Sequence, residues 1–250
     1  MVSSMAWIYR YASPAAFYPV AGMLAPWFMA AAALLAALGM YIGLFAAPTD
    51  FQQGDAYRII YVHVPAAWMS MLIYVVMAFY AVLYFTFNTR LSAMMMNALA
   101  PTGAMFTFLA LWTGALWGRP TWGTYWVWDA RLTSELILLF LYLGFMALHA
   151  AIEDARRADR AAALVAIVGV VNVPIIYFSV QWWNTLHQGA SVSVTASPTM
   201  ASIMLAGMLV MGLAAWMYAI GAALMRVQSI IVEREAGADW LGRYLKGAKA

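Results

Sequence analysis

Two histidines, His63 and His187, carry the side chains in this sequence best suited to binding a metal ion, because neutral imidazole is a common metal ligand. His63 lies two residues before Pro65, and a proline disturbs a membrane helix where a site needs shaping. His187 follows Trp182 and Trp183 in the segment WWNTLHQGAS. Each histidine alone is also compatible with a structural role or with a place beside an interfacial tryptophan anchor. Their function therefore depends on which residues lie near them.

A second concentration of unusual residues is the segment WGRPTWGTYWVWDARLT, residues 117–133, which contains Trp117, Trp122, Trp126 and Trp128. Tryptophan is favoured at membrane surfaces, but an aromatic belt spreads its rings over many helix ends. Trp122 and Trp126 are four residues apart and share a face if the segment contains a helical turn, which Pro120 could start. The cluster predicts a flat apolar shelf for a large planar ligand. Two imidazoles from separate segments could then hold opposite faces of one porphyrin iron.

The few charges in this segment have predicted roles as well. Arg119 and Arg131 could meet ligand carboxylates such as heme propionates at the rim of the shelf. Asp129 is expected to cap the following helix and to pair with Arg131. Glu135, just inside that helix, either forms a hydrogen bond within the bundle or orients the loop, and both readings stay open.

The composition indicates the elements that must position these residues. Of the 250 residues, 66% are hydrophobic and 9% are charged, a balance that predicts an integral membrane protein. Apolar runs of about 20 residues can cross the bilayer as helices. We therefore predict a single all-α domain over residues 1–250 with six transmembrane helices, near 23–47, 59–87, 93–117, 131–151, 161–182 and 200–225. Residues 1–22 are expected to be an interfacial segment, 118–130 an external loop and 227–250 a cytoplasmic tail.

The distribution of basic residues predicts the orientation, because loops rich in lysine and arginine stay in the cytoplasm. If both termini are cytoplasmic, ten basic residues lie inside and three outside; the three are Arg58, Arg119 and Arg131. His63, His187 and the tryptophan segment then share the external side, while His149 lies at the cytoplasmic end of the fourth helix. The net charge of +3 reflects this topology and does not indicate a nucleic-acid partner.

Several kinds of chemistry are excluded by what the sequence lacks. It contains no cysteine, which rules out disulfides, thiolate metal sites, iron–sulfur clusters and cysteine nucleophiles. It has no G-x-x-x-x-G-K-[ST] loop, so any ATP hydrolysis would belong to a partner protein. The run Met94, Met95 and Met96 is interpreted as flexible packing rather than as thioether ligands.

The tryptophan segment resembles the tryptophan-rich "WWD" signature of the heme-handling proteins of cytochrome c biogenesis. Within that family, six helices with one external histidine on each side of the signature are most similar to the heme exporter C (CcmC) proteins. The resemblance covers nearly the whole chain, and the motif is specific.

The resemblance implies a function and a set of partners. His63 and His187 would be the axial ligands of heme b at the periplasmic face of the bacterial inner membrane. The residues expected to contact the heme are Trp117, Trp122, Trp126, Trp128, Asp129, Arg58, Arg119 and Arg131. The protein would pass heme to the heme chaperone CcmE and associate with the ABC transporter subunits CcmA and CcmB and the small subunit CcmD. It would be a delivery subunit and not an enzyme.

Two other functions remain as alternatives. A redox subunit holding a permanent b-type heme would place its histidines inside the bundle, whereas His63 and His187 are expected outside. A heme-translocating permease would need polar residues along the helix interiors, and the predicted spans have few of them.

Overall fold

The computed structural model describes residues 12–187, Gly189 and 200–247, and it is helical almost throughout that part of the chain. The α-helices in these residues are α1 (Pro14–Tyr41), α2 (Ile60–Phe87), α3 (Arg90–Trp122), α4 (Ala130–Ala151), α5 (Ala155–Gly169), α6 (Asn172–Trp182), α7 (Ser202–Arg234) and α8 (Asp239–Gly247). A π-helical turn, Ile42–Ala46, continues α1, and a 3₁₀ turn, Asp55–Ile59, leads into α2.

Six helical segments are long and apolar enough to cross a membrane, which confirms the predicted number. They are Pro14–Ala46, Asp55–Phe87, Arg90–Trp122, Ala130–Ala151, Ala155–Trp182 and Ser202–Arg234. The first begins at Pro14, so residues 14–22 of the expected interfacial segment are helical, while residues 1–11 lie outside the described part. The last reaches Arg234, so the expected tail from residue 227 begins within a membrane-capable helix, and its described part ends in α8.

Local sequence signals set the helix ends that flank the tryptophan segment. Gly123 ends α3 with a φ of 79°, a left-handed conformation that favours glycine, and its N–H donates to the Arg119 carbonyl at 3.1 Å. Asp129 caps α4, since its Oδ1 accepts from the Leu132 N–H at 2.8 Å. The expected cap is therefore confirmed. The part of the segment that joins α3 to α4 is correspondingly short, running from Gly123 to Asp129.

The fifth span is interrupted, and α5 and α6 are its two parts. Pro174 has no N–H to donate to the carbonyl four residues before it, so the helix cannot continue regularly through this point. The backbone makes tighter bonds instead, from Val171 N to Val168 O at 3.4 Å and from Val173 N to Val170 O at 3.0 Å. Asn172 ties the break to α4, because its Nδ2 donates to the Ser134 carbonyl at 2.9 Å.

The core lies between α2, α3, α4 and α5, and α1 packs mainly against α7. Tyr74 and Tyr142 are fully buried with their rings edge to face, 4.9 Å apart. Buried hydroxyls need acceptors. Tyr74 donates to the Val165 carbonyl at 3.1 Å and Tyr142 to the Ser70 carbonyl at 2.7 Å. The three consecutive methionines are buried in the core clusters, as the packing interpretation predicts.

At the end of the bundle expected to be cytoplasmic, a buried carboxylate joins four helices. Asp159 on α5 accepts from Arg234 on α7 at 2.7 Å and from Asn97 on α3 at 3.2 Å. Its Oδ1 also lies 3.0 Å from Nε2 of His149 on α4. A buried carboxylate needs such partners, because an unpaired charge at this depth is costly. His149 is therefore part of a structural ion-pair network at the end opposite the other two histidines.

Candidate functional site

The structure brings His63 and His187 together although 123 positions separate them along the chain. His63 lies in the first turn of α2, and His187 lies in the segment that follows α6. Their ring centroids are 6.3 Å apart and their planes are inclined by 34°. Metal–imidazole bonds are about 2 Å long, and a ring nitrogen lies about 1.1 Å from the ring centre, so two imidazoles on opposite sides of one ion have centroids about 6 Å apart.

His63 is held by α3. Its Nδ1 lies 3.1 Å from Oγ1 of Thr113, and its Cε1 lies against Gly114, where an added Cβ would be only 2.9 Å away. The indole of Trp117 packs edge-on to the imidazole with the centroids 5.6 Å apart. Two successive turns of α3 thus determine where this ring sits.

His187 is held by the N-terminus of α4 through an intermediate threonine. The Thr185 hydroxyl donates to Oδ2 of Asp129, and the His187 N–H donates to the same Thr185 oxygen at 3.0 Å. Trp122, at the end of α3, lies 6.1 Å from the imidazole between ring centroids. The carboxylate that caps α4 therefore also anchors the segment that carries His187. Asp129 makes this contact instead of the expected ion pair with Arg131.

The tryptophan segment is built differently from the predicted shelf. The helix α3 continues through Trp122, while Trp126 follows in extended backbone, so the two rings do not share the face of one helical turn. The reason is Gly123, whose left-handed conformation ends the helix between them. Trp126 packs edge-on to Trp128 at 5.4 Å instead, and the Trp128 side chain is 77% exposed.

These residues surround a mostly apolar cavity that is open on one side, with about 710 Å³ of empty space when the solvent at its mouth is included. The residues with polar or aromatic side chains that line it are Gln53, His63, Trp117, Thr121, Trp122, Trp126, Arg131, Glu135 and His187. Both histidines and three of the four tryptophans of the segment therefore face one cavity, whereas Trp128 and Asp129 lie beside it.

The indole N–H groups of two cavity tryptophans differ in their hydrogen bonding. Trp117 Nε1 donates to Oε1 of Gln53 at 2.6 Å. Trp126 Nε1 is buried and has no hydrogen-bond partner among the residues that the structure describes. An unsatisfied buried donor costs about 1–3 kcal/mol. Trp126 therefore offers a donor to an oxygen of a ligand in the cavity.

Of the three arginines predicted to face outward, Arg131 alone lines this cavity, with one Nη1 bond to the Ile176 carbonyl at 2.6 Å. Arg58 binds the Gly43 carbonyl at 2.5 Å and Asp55 at 2.8 Å. Arg119 binds the Gly123 carbonyl and lies over the Tyr125 ring. Arg131 keeps further N–H donors beyond this bond and is the cation placed to meet a ligand carboxylate.

Glu135 lines the cavity one helical turn beyond Arg131, and its side chain is buried. Its Oε1 accepts from the Ser70 hydroxyl at 2.7 Å, which links α4 to α2. Of the two readings left open from the sequence, the hydrogen bond within the bundle is the one observed.

The donor set indicates what kind of metal could be held. The described residues contain no group of three or more His, Asp or Glu side chains that could hold a metal ion. Two imidazoles complete the coordination of an ion whose other ligands come from a macrocycle, as in a porphyrin. The cavity therefore fits a metalloporphyrin better than a bare metal ion.

Sequence reasoning missed Thr113, Gly114, Gln53, Thr185 and Ser70, which hold the predicted residues in place. They are small or uncharged polar residues, distant along the chain from the side chains that they contact. Thr185 differs from the others because it is near one of its partners in the sequence. It lies two residues before His187, a spacing typical of a local turn.

Comparison with known proteins identifies the chain's relatives. The family model for heme exporter protein C matches residues 7–242. Heme exporter protein C of Haemophilus influenzae is 44% identical over 235 residues, covering 94% of this chain and 96% of the relative. The protein of the same name from Escherichia coli K12 is 43% identical over 242 residues, with 95% and 96% covered. The one from Bradyrhizobium diazoefficiens is 49% identical over 203 residues, with 81% and 77% covered. The chain belongs to the heme exporter protein C family.

Proposed function

We propose that this protein binds heme b at the periplasmic face of the inner membrane and presents it to the heme chaperone CcmE. Family membership gives it a role in heme export and cytochrome c maturation, and six membrane-capable helices make it a multi-pass protein of the inner membrane. Heme is the cargo here, and the role is one of transport rather than catalysis.

The observation that carries the proposal is the pair of imidazoles on one cavity. The centroid separation of 6.3 Å between His63 and His187 matches the distance of about 6 Å between two axial imidazoles of one iron. Because the two residues come from different parts of the chain, each ligand can be released when its own segment moves. Two iron ligands from separate segments are suited to a protein that must release heme to another protein.

The rest of the cavity fits the remaining chemistry of heme. The porphyrin is broad and apolar, and the lining of the cavity is mostly apolar and aromatic. The propionates need cationic or N–H donors, which Arg131 and the unsatisfied indole of Trp126 provide. Arg58 and Arg119, expected from the sequence to contribute, are bound elsewhere, so Arg131 is the principal propionate partner in this proposal.

The surroundings of the cavity support transfer to a second protein. Trp128, which packs against the cavity residue Trp126, and the neighbouring Tyr125 are both more than half exposed. Exposed aromatic side chains near a ligand site are typical of surfaces that bind another protein. We place CcmE on this surface. The proposed assembly also contains the ABC transporter, with CcmA as the ATPase and CcmB as its membrane subunit, and the small subunit CcmD.

The test is the absorption spectrum of bound heme in purified variants. We expect His63→Ala and His187→Ala each to lose the six-coordinate, low-spin spectrum of the wild type and to load the chaperone poorly. His149→Ala is the matched control, because it removes the third histidine at the opposite end of the bundle, and it should keep the wild-type spectrum. If both cavity variants keep that spectrum and load the chaperone normally, the axial assignment is wrong. A heme that stays on the wild type and never passes to the chaperone would indicate a redox subunit instead.

A further inference from the structure

The bond between His63 and Thr113 has a direction that follows from the threonine's other contacts. Thr113 Oγ1 lies 2.6 Å from the Leu109 carbonyl and 3.3 Å from the Ala110 carbonyl. A carbonyl can only accept, so the single hydroxyl proton of Thr113 is committed to the backbone of α3. The threonine oxygen can then act only as an acceptor toward His63.

An acceptor at this position decides which nitrogen of His63 carries the proton. The atom facing Thr113 is Nδ1, at 3.1 Å, so Nδ1 is the N–H donor and Nε2 is the nitrogen with the lone pair. A metal-binding histidine usually donates its other N–H to a fixed acceptor, which sets both the ring orientation and the ligating atom. Thr113 provides that acceptor for His63.

The neighbouring residue confines the ring from another side. Gly114 lies against Cε1 of His63, and a Cβ there would come within 2.9 Å of that atom, closer than carbon atoms normally approach. A side chain at position 114 would therefore push the ring away from Thr113. In α3, Thr113 thus provides the acceptor for Nδ1, and the next residue, Gly114, leaves space for the imidazole ring.

We propose that Thr113 is a positioning residue for heme binding, which accepts the Nδ1–H of His63 and so directs Nε2 to the iron, with Gly114 providing the room. The inference rests on the proposed function, because it assumes that His63 is an axial ligand. It adds a residue on a different helix, which does not touch the cargo and acts through the histidine.

The chain offers a matched control for the threonine. Thr107 is fully buried on the same helix, and its hydroxyl donates to the Gly103 carbonyl at 2.8 Å, the same kind of bond that Thr113 makes to the backbone. Thr107→Val therefore removes an equivalent helix contact with no histidine involved. Thr113→Ser keeps the acceptor oxygen, whereas Thr113→Val replaces it with a methyl group of similar size.

The experiment compares these variants as full-length protein in detergent, loaded with hemin. The readouts are the absorption and electron paramagnetic resonance spectra, the rate of hemin loss to a heme-scavenging protein, and the melting temperature. We expect Thr113→Val to gain a high-spin fraction and to lose hemin about tenfold faster, the lower end of the effect of removing such a partner. Thr113→Ser and Thr107→Val should resemble the wild type. Gly114→Ala should reproduce the spectral change, whereas Gly144→Ala, where an added Cβ meets no atom within 4 Å, should not.

The outcomes that would overturn the inference are distinct from those that would overturn the proposed function. If Thr113→Val matches Thr107→Val in spectrum and hemin loss, Thr113 has no positioning role. If Thr113→Ser fails to restore the wild-type behaviour, the effect lies in the helix and not in the acceptor. Failure of the proposed function shows itself earlier, as a wild-type spectrum that is unchanged in His63→Ala, and it overturns both ideas together.

Discussion

At the scale of single residues, the tryptophans that look alike in the sequence have different chemical states in the structure. Trp117 has its indole N–H bonded to Gln53, whereas the buried indole N–H of Trp126 has no partner among the described residues. Trp117 packs against His63, and Trp126 can donate a hydrogen bond to an oxygen of a ligand. The two indole N–H groups differ only in whether an acceptor lies within hydrogen-bond distance, and the sequence does not show that distance.

This difference predicts how binding depends on the carboxylates of the ligand. We expect Trp126→Phe to weaken hemin binding about tenfold or more, because a hydrogen bond to a charged group contributes about 1.5–3 kcal/mol. Binding of hemin dimethyl ester, which has no carboxylate, should change far less. Titration of hemin and of the ester, followed by absorbance, measures both affinities.

Trp117→Phe is the control for this titration. It removes the same N–H from a side chain that already has an acceptor, and it should affect hemin and the ester to the same extent. Equal weakening of the two ligands by Trp126→Phe would show that Trp126 contributes only packing.

At the scale of elements, the site is assembled from helix ends. The first turn of α2 supplies His63, the last turns of α3 supply Trp117 and Trp122, and the start of α4 supplies Arg131. Asp129 caps α4 and holds Thr185, and through it the His187 segment. A single carboxylate thus couples the stability of one helix to the position of one proposed ligand.

A comparison of two helix-cap variants tests this coupling. Asp129→Ala and Asp154→Ala each remove the side-chain cap of a helix, Asp154 being the cap of α5, at a cost of about 1 kcal/mol. We expect similar decreases in melting temperature, but only Asp129→Ala should speed the loss of hemin and alter its spectrum. Thr185→Val should reproduce the change in hemin binding without the loss of the cap. Indistinguishable hemin binding in the two aspartate variants would argue against the coupling.

At the scale of the whole molecule, the two ends of the bundle have opposite characters. One end has the cavity with its aromatic surroundings, and the other has the ion-pair network around Asp159. The excess of basic residues at the second end predicts that this end is cytoplasmic. Presentation of cargo to a periplasmic chaperone requires the cavity to be on the other side.

This orientation can be tested directly because the chain has no cysteine, so an introduced cysteine is labelled without background. Tyr125 and Arg157 are both exposed and lie at opposite ends of the bundle. We expect an impermeant maleimide added to intact spheroplasts to label Tyr125→Cys, and to label Arg157→Cys only after the membrane is permeabilised. The reverse pattern would invert the topology and exclude presentation at the outer face.

Much of this protein is determined by its sequence alone. The six spans follow from apolar runs that no water-soluble domain could expose, and the cap at Asp129 follows from a local preference of helix ends. The two cavity histidines and the tryptophan segment also stand out in the sequence, because such residue types are costly or unusual in a membrane protein.

The tertiary structure decided what these residues contact. It ended α3 at Gly123, separated Trp122 from Trp126, and turned Arg58 and Arg119 toward backbone carbonyls while Arg131 remained at the cavity. It also placed Thr113 and Gly114 against a histidine fifty positions earlier. Local preferences act over a few residues, whereas these contacts depend on how whole helices pack. For that reason, a threonine that positions a ligand cannot be distinguished in the sequence from one that only forms a hydrogen bond within its own helix.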